Sequence, residues 1–215
     1  MPEENERDPA PKRGVSRRQF FKGVGVVGAG TALVPDALAP ESAEAAPAVA
    51  SFKPGKHALT LKVNGHSITL EVEPRTSLLY ALRNNANPPL TGTKLVCDLG
   101  ACGACTVHID GKSAYSCNVL AIDAVGKEIT TVEGLAGADG KLHPLQEAFI
   151  SKDALMCGFC TPGFLMAIAA QLKKHPTASL EELKHACAGN VCRCGTYPHI
   201  FEAMVETVQK MRGGA

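Results

Sequence analysis

The sequence predicts an α+β protein, and two observations predict it. Between residues 57 and 130, paired stretches of alternating apolar and polar residues are joined by tight-turn signals; beyond the glycine-rich run "GLAGADG" at 134–140, the apolar residues recur at helical spacing instead. A third observation removes the start of the chain from the fold, because residues 1 to about 55 are rich in Pro, Ala, Glu and Gly and carry no sustained period that could build a core. The expected organisation is a leader and linker over 1–50, a small mixed sheet over 55–134 and a helical part over 140–212.

The leader has its own signature. "SRRQFFK" at 16–22 sets Arg17 and Arg18 ahead of "GVGVVGAGTALVP", an apolar run too short to cross a bilayer as a stable helix. Small residues follow at "AEA" (43–45) and "AVA" (48–50), either of which suits a cleavage site. The order resembles a twin-arginine export signal, which implies the periplasm; the bland alternative is a disordered basic tail. The glycines of "GVGVVGAG" follow no strand, so they do not make a dinucleotide-binding turn.

The folded part begins near His57. "ALTLKV" and "SITLEV" alternate around Asn64-Gly65, a hairpin with a tight turn. "RTSLLYALRNN" places Leu78, Leu79 and Leu82 on one helical face behind Thr76 or Ser77 as cap, predicting a short helix across that hairpin. "CTVHIDGKSAYSC" predicts a second hairpin turning at Asp110-Gly111, and "KEITTVEGL" a closing strand. Four helices are then expected, in "HPLQEAFISK", "PGFLMAIAAQLKKH" with Pro162 at its start, "SLEELKHAC" with a Ser179/Glu182 capping box, and "YPHIFEAMVETVQKM". No further stretch suggests a membrane span.

Composition excludes some functions. A formal charge of +1 gives no basic field for nucleic acid or an anionic membrane, and the absence of Trp with 5% aromatic residues leaves no stacking platform for bases. No phosphate-binding loop or Ser/His/Asp assembly occurs, and the seven histidines show no ligand spacing. The nine cysteines are the chemical signal, and an odd number cannot be a closed disulfide set.

They fall into two groups. Cys97, Cys102 and Cys105 stand at C-x4-C-x2-C spacing with Cys117 in the next hairpin, the plant-type ferredoxin pattern for a 2Fe-2S cluster. Gly100 and Gly103 let such a loop fold back and bring backbone N–H groups to the sulfurs. The second group pairs Cys157 and Cys160 of "CGFC" with Cys192 and Cys194 of "CRC", each pair just ahead of a helix whose N-terminus favours negative charge. Two cysteines one residue apart cannot form an ordinary disulfide, but a bent loop can turn both toward one centre. Spacing leaves a second 2Fe-2S site, a structural zinc or a thioredoxin-like pair open for these motifs. Cys187 fits neither group and suits a small buried apolar residue.

"TGTKLVCDLGACGACTV", "LQEAF", "CGFCTPG" and "GNVCRCGTYPHI" together resemble the small iron–sulfur subunit of the xanthine dehydrogenase family of molybdenum hydroxylases, over about residues 57–210. The resemblance implies a plant-ferredoxin-like (β-grasp) domain with one 2Fe-2S cluster on Cys97, Cys102, Cys105 and Cys117, and a four-helix domain with a second on Cys157, Cys160, Cys192 and Cys194. It implies a large partner subunit that binds molybdopterin and oxidises an aldehyde or N-heterocycle. Electrons would pass from there to the helical-domain cluster, then to the ferredoxin-like cluster, and on to FAD on another subunit or to a carrier such as a cytochrome. The chain would have no catalytic residue of its own. Two departures stand out: Met156 occupies a position where the family usually has a Gln that contacts the pterin, and "CRCGTYP" replaces the commoner "CRCTGY", a form similar to periplasmic aldehyde oxidoreductase and isoquinoline oxidoreductase small subunits. A free-standing 2Fe-2S carrier or redox sensor is the competing class.

Overall fold

The structure, a computed structural model, describes residues 52–137 and 140–213 together with Ser16, Arg18 and Gln19. The chain divides into two compact units, Met1–Ser51 and Phe52–Ala215. In the first, the Ser16 N–H donates to Gln19 Oε1 at 3.1 Å and the Gln19 N–H to Ser16 Oγ at 3.2 Å, a capping box that leads into helical backbone at Arg18 and Gln19. Arg17, the apolar run and both candidate cleavage sites lie outside the described residues.

The second unit opens with strands β1 (His57–Val63) and β2 (His66–Val72), antiparallel around Asn64 (φ 52°) and Gly65 (φ 80°). Both turn residues are left-handed, as a two-residue hairpin turn that matches strand twist requires. Strands β3 (Thr106–Ile109) and β4 (Lys112–Tyr115) form the second hairpin, and β5 (Glu128–Thr130) runs between the two hairpins, parallel to β1 and antiparallel to β3. The sheet order is β2-β1-β5-β3-β4. The closing strand is shorter than "KEITTVEGL" predicts. The side chain of Asn64 takes over its end, accepting from the Thr131 N–H at 2.8 Å and donating to Thr131 Oγ1 at 2.9 Å, after which the chain turns through Val132–Gly134.

Helix α1 (Leu78–Tyr80) is shorter than expected, because the chain widens at once into a π turn over Ala81–Asn85, where the Ala86 N–H reaches back five residues to the Ala81 carbonyl. Leu78, Ala81 and Leu82 pack there against Leu61, Val72, Val107 and Ile129 of the sheet.

The four expected helices are α2 (Pro144–Ser151), α3 (Thr161–Lys174), α4 (Leu180–Ala186) and α5 (Tyr197–Gly213). His143 caps α2 by accepting the Leu145 N–H on Nδ1, and Ser179 and Glu182 form the capping box of α4. Leu145, Phe149, Phe164, Ile168, Leu172, Leu183, Ile200 and Met204 make a second core. Nine of the fourteen residues of α3 are buried, too many for one apolar stripe, because α3 packs on the helical core and on β3 at once.

His108 of β3 joins the two faces. Its Nε2 donates to the Met166 carbonyl of α3 at 2.7 Å, and burial lowers its pKa below the usual 6.5, with nearby Lys173 acting in the same direction. The unfolded chain therefore takes up a proton there that the folded chain resists, so the stability this site contributes is present above about pH 6.5 and is lost as pH falls below it. The urea midpoint should drop between pH 7 and pH 5, and His108→Gln should flatten that slope, with half-buried His143, whose pKa is also lowered by burial, keeping part of it. An unchanged slope in His108→Gln would show that protonation of His108 does not load this contact.

Candidate metal centres

Cys97, Cys102 and Cys105 lie on the loop ahead of β3, and Cys117 lies in the turn that follows β4. The β3–β4 register sets Thr106 opposite Tyr115, so the Ser116 N–H and Oγ both donate to the Cys105 carbonyl, at 3.2 and 2.8 Å, and Cys117 swings in beside Cys105. Asp98 (φ 54°), Gly100 (φ 70°) and Gly103 (φ 70°) supply the left-handed backbone that folds the loop back. The Leu99 and Ala101 N–H groups each donate to Cys97 Sγ at 3.4 Å. These donors, the Leu99 N–H above all, bring Cys97 down to about 7 against partial desolvation, with Cys102 beside it lowering it further. Burial pushes Cys117 up to about 12, and contact with Cys105 adds to that. The first four thiols thus meet as two pairs, 97 with 102 and 105 with 117.

The second four also meet as pairs. Cys157 and Cys160 end the loop before α3, bent at Gly158 (φ 76°), and Cys192 and Cys194 precede α5, bent at Gly195 (φ 84°). The Cys194 and Cys157 sulfurs are 3.4 Å apart. Cys160 faces Cys192 and is pushed up to about 12, first by burial and then by that contact. Burial would raise Cys192 too, but the Thr196 hydroxyl and N–H bring it down to about 7. Cys157 is lowered chiefly by the Phe159 N–H.

Two thiolates on one tetrahedral metal at about 2.3 Å stand roughly 3.8 Å apart, close to the spacing of the Cys157–Cys194 pair. Among the described residues no three or more His, Cys, Asp or Glu side chains converge on one point. The donors are sulfur only, they meet two by two, and backbone N–H groups reach them. That chemistry fits a binuclear iron–sulfur group in each loop set, with two thiolates for each iron.

The two sets touch through backbone. The Val191 N–H, adjoining Cys192, donates to the carbonyl of Cys102 at 2.9 Å. Buried Asn190 donates from Nδ2 to the Gly103 carbonyl at 2.9 Å, an oxygen that also accepts from the Thr106 N–H (3.1 Å) and Oγ1 (2.6 Å). Helix α3 closes the junction at Gly163, where a Cβ would stand 3.0 Å from Ala104 Cα and closer still to the Gly103 oxygen. Sequence reasoning missed Asn190, Gly163, Thr106 and Val191. The "GN" before "CRC" and the "PG" after "CGFC" were visible, but which loop they meet is a tertiary fact.

Cys157 and Cys194 are exposed, and an apolar rim surrounds them: Met156 is 66% exposed, Val191 52% and Phe159 48%. Around the first set Leu99 is 80% exposed. Lys94, beside the first loop, lies 5.7 Å over the Phe159 ring. Cys187 stands apart, packed in the helical core with Sγ toward the Lys184 carbonyl at 3.5 Å, and burial pushes its thiol up to about 11.

Three family models match the chain: a 2Fe-2S iron–sulfur cluster binding domain over residues 61–134, a [2Fe-2S] binding domain over 131–205, and a twin-arginine translocation pathway signal sequence over 14–34. The chain is 40% identical over 214 residues to the aldehyde oxidoreductase iron–sulfur-binding subunit PaoA of Escherichia coli K12, covering 92% of this chain and 90% of that one. It is 46% identical over 148 residues to the nicotine 6-hydroxylase small subunit of Paenarthrobacter nicotinovorans, covering 69% of this chain and 87% of that one. Among solved structures it resembles a chain of quinoline 2-oxidoreductase from Pseudomonas putida, with TM-score 0.68, 40% identity, and coverage of 74% of this chain and 98% of that one. It also matches aldehyde oxidoreductase from Desulfovibrio desulfuricans at 38% identity and TM-score 0.66, covering 73% of this chain but only 17% of that longer one.

Proposed function

Because this chain belongs to the iron–sulfur subunits of the molybdenum hydroxylase family, we propose that it is the electron-transfer subunit of an exported molybdenum-dependent oxidoreductase that acts on an aldehyde or an N-heterocycle. The observation that carries this is the pair of four-thiol sets joined by one backbone hydrogen bond, Val191 to Cys102. When bound, a 2Fe-2S centre in each set supplies one-electron chemistry, linking a molybdopterin site on a large partner to FAD on another subunit or to an external carrier such as a cytochrome. Cys97, Cys102, Cys105 and Cys117 would hold the first centre, and Cys157, Cys160, Cys192 and Cys194 the second. The division into leader 1–50, ferredoxin-like domain 55–134 and helical domain 140–212 belongs to the same proposal.

The residues do the rest of the work. Backbone N–H groups hold negative charge on the sulfurs, and the close fit at Gly163 and Asn190 keeps the two loops together. The rim of Met156, Phe159 and Val191 is the surface that meets the large subunit, since a freely diffusing carrier would leave it in water. At Met156 a thioether stands where an amide would hydrogen-bond the pterin, so contact there is apolar. The twin-arginine signal sends a chain already folded and loaded in the cytoplasm, which reconciles exposed thiols with the oxidising periplasm.

Anaerobically purified complex should contain about four irons per small subunit and give two distinct EPR signals on reduction. The large molybdenum-containing subunit should co-purify with it. Colourless protein carrying zinc would sink the cluster assignment, and a coloured small subunit that purifies alone would leave the free-standing carrier.

A further inference from the structure

The geometry points to Thr196 as a residue that sets the reduction potential of the second centre, by donating a hydrogen bond from its hydroxyl to Cys192 Sγ. This rests on Cys192 being a ligand there. Thr196 lies just ahead of α5, and its carbonyl accepts the Ile200 N–H at 3.0 Å as the first bond of that helix. A threonine in that position ordinarily turns its hydroxyl onto the next free N–H groups of its own helix. Here Oγ1 instead lies 3.2 Å from Cys192 Sγ, and Thr196 is buried, with 3% of its surface exposed, so water does not compete for it. A metal-bound thiolate can only accept, which makes the hydroxyl the donor.

The neighbouring residues hold Cys192 in place for this bond. The Cys192 N–H donates to the Tyr197 hydroxyl at 2.8 Å, and the left-handed Gly195 turns the chain so that residues 196 and 197 both face back toward residue 192. In the order Gly-Thr-Tyr, glycine makes the bend, threonine addresses the sulfur and tyrosine fixes the backbone of the same cysteine. A residue without a hydroxyl at 196 leaves the turn and the Tyr197 contact intact and removes only the bond to sulfur.

One-electron reduction of the loaded site makes and breaks no bond, and the added negative charge spreads onto the four sulfurs. A buried donor stabilises that charge more than it stabilises the oxidised form, so it raises the potential of this centre and of no other. In a redox titration of the purified complex, with dithionite as the electron source and EPR reading each centre separately, Thr196→Val and Thr196→Ala should each disfavour reduction of the second centre by about tenfold. That is about 59 mV for a one-electron couple. Thr196→Ser should restore the wild-type value, and the first centre should stay unchanged in all three. If wild type shows both signals and neither Thr196→Val nor Thr196→Ala moves the second, the assignment of Thr196 fails while the cluster reading stands. If wild type itself lacks a second 2Fe-2S signal, both fall.

Discussion

Cys194→Ser is expected to abolish the EPR signal of the second centre, to leave that of the first at full intensity, and to cut turnover of the complex by well over tenfold. Even partners that merely orient a metal ligand cost about 10–100-fold when removed, and Cys194 is assigned as a ligand itself. The selectivity follows from location. Cys194 sits on an exposed loop with its sulfur 3.4 Å from Cys157, outside the buried residues of both cores, so the substitution removes a donor without opening a cavity. The first set shares no thiol with it. Should both signals disappear together, the two loops would have to be one cooperative site, and the division between a ferredoxin-like and a helical domain would need redrawing.

Gly163→Ala is expected to have a large effect of a different kind. Its new methyl would meet the Gly103 carbonyl oxygen and Ala104 Cα, both backbone atoms that cannot rotate aside. Overpacking of this sort costs about 1–3 kcal/mol, which for a unit of this size lowers Tm by roughly 2–10 °C. The same methyl pushes α3 off the first loop, so the spin–spin interaction between the two reduced centres should weaken while both signals remain. A Gly163→Ala complex with unaltered Tm and unaltered spin–spin interaction would show that this close approach does not hold the loops together.

Much of the fold was legible because local rules and tertiary packing agree. Asn64-Gly65 and Asp110-Gly111 turn where their chemistry predicts, and Ser179 and Glu182 cap α4 as their spacing predicts. The misses share one cause. The π turn ends with Asn85 donating from Nδ2 to the Glu71 carbonyl of β2, and β5 ends early at Thr131 because Asn64 takes over its hydrogen bonds; both partners lie outside any local window. The same holds for the thiol sites. Spacing singled out the C-x4-C-x2-C run and the two close pairs, 157 with 160 and 192 with 194, because spacing within a loop is a local property. It did not indicate which sulfur faces which, nor that Gly103 and Asn190 meet, since those pairings depend on α3 lying across β3 and on His108 anchoring it. His108 itself stood only among seven histidines without ligand spacing, because one polar side chain on an alternating strand carries no local sign of its distant acceptor.

The junction at the Gly103 carbonyl also bears on how the chain acquires its metal. That oxygen collects donors from both loops, and Val191 ties its neighbour Cys102 to the other side, so neither loop can settle into its bound shape without drawing the other toward its own. Filling one site thereby prepays part of the ordering entropy of the other, and by linkage the two loading equilibria are positively coupled and reciprocal. The coupling acts on how readily each site loads, and it does not bar a chain with one set disabled from filling the other.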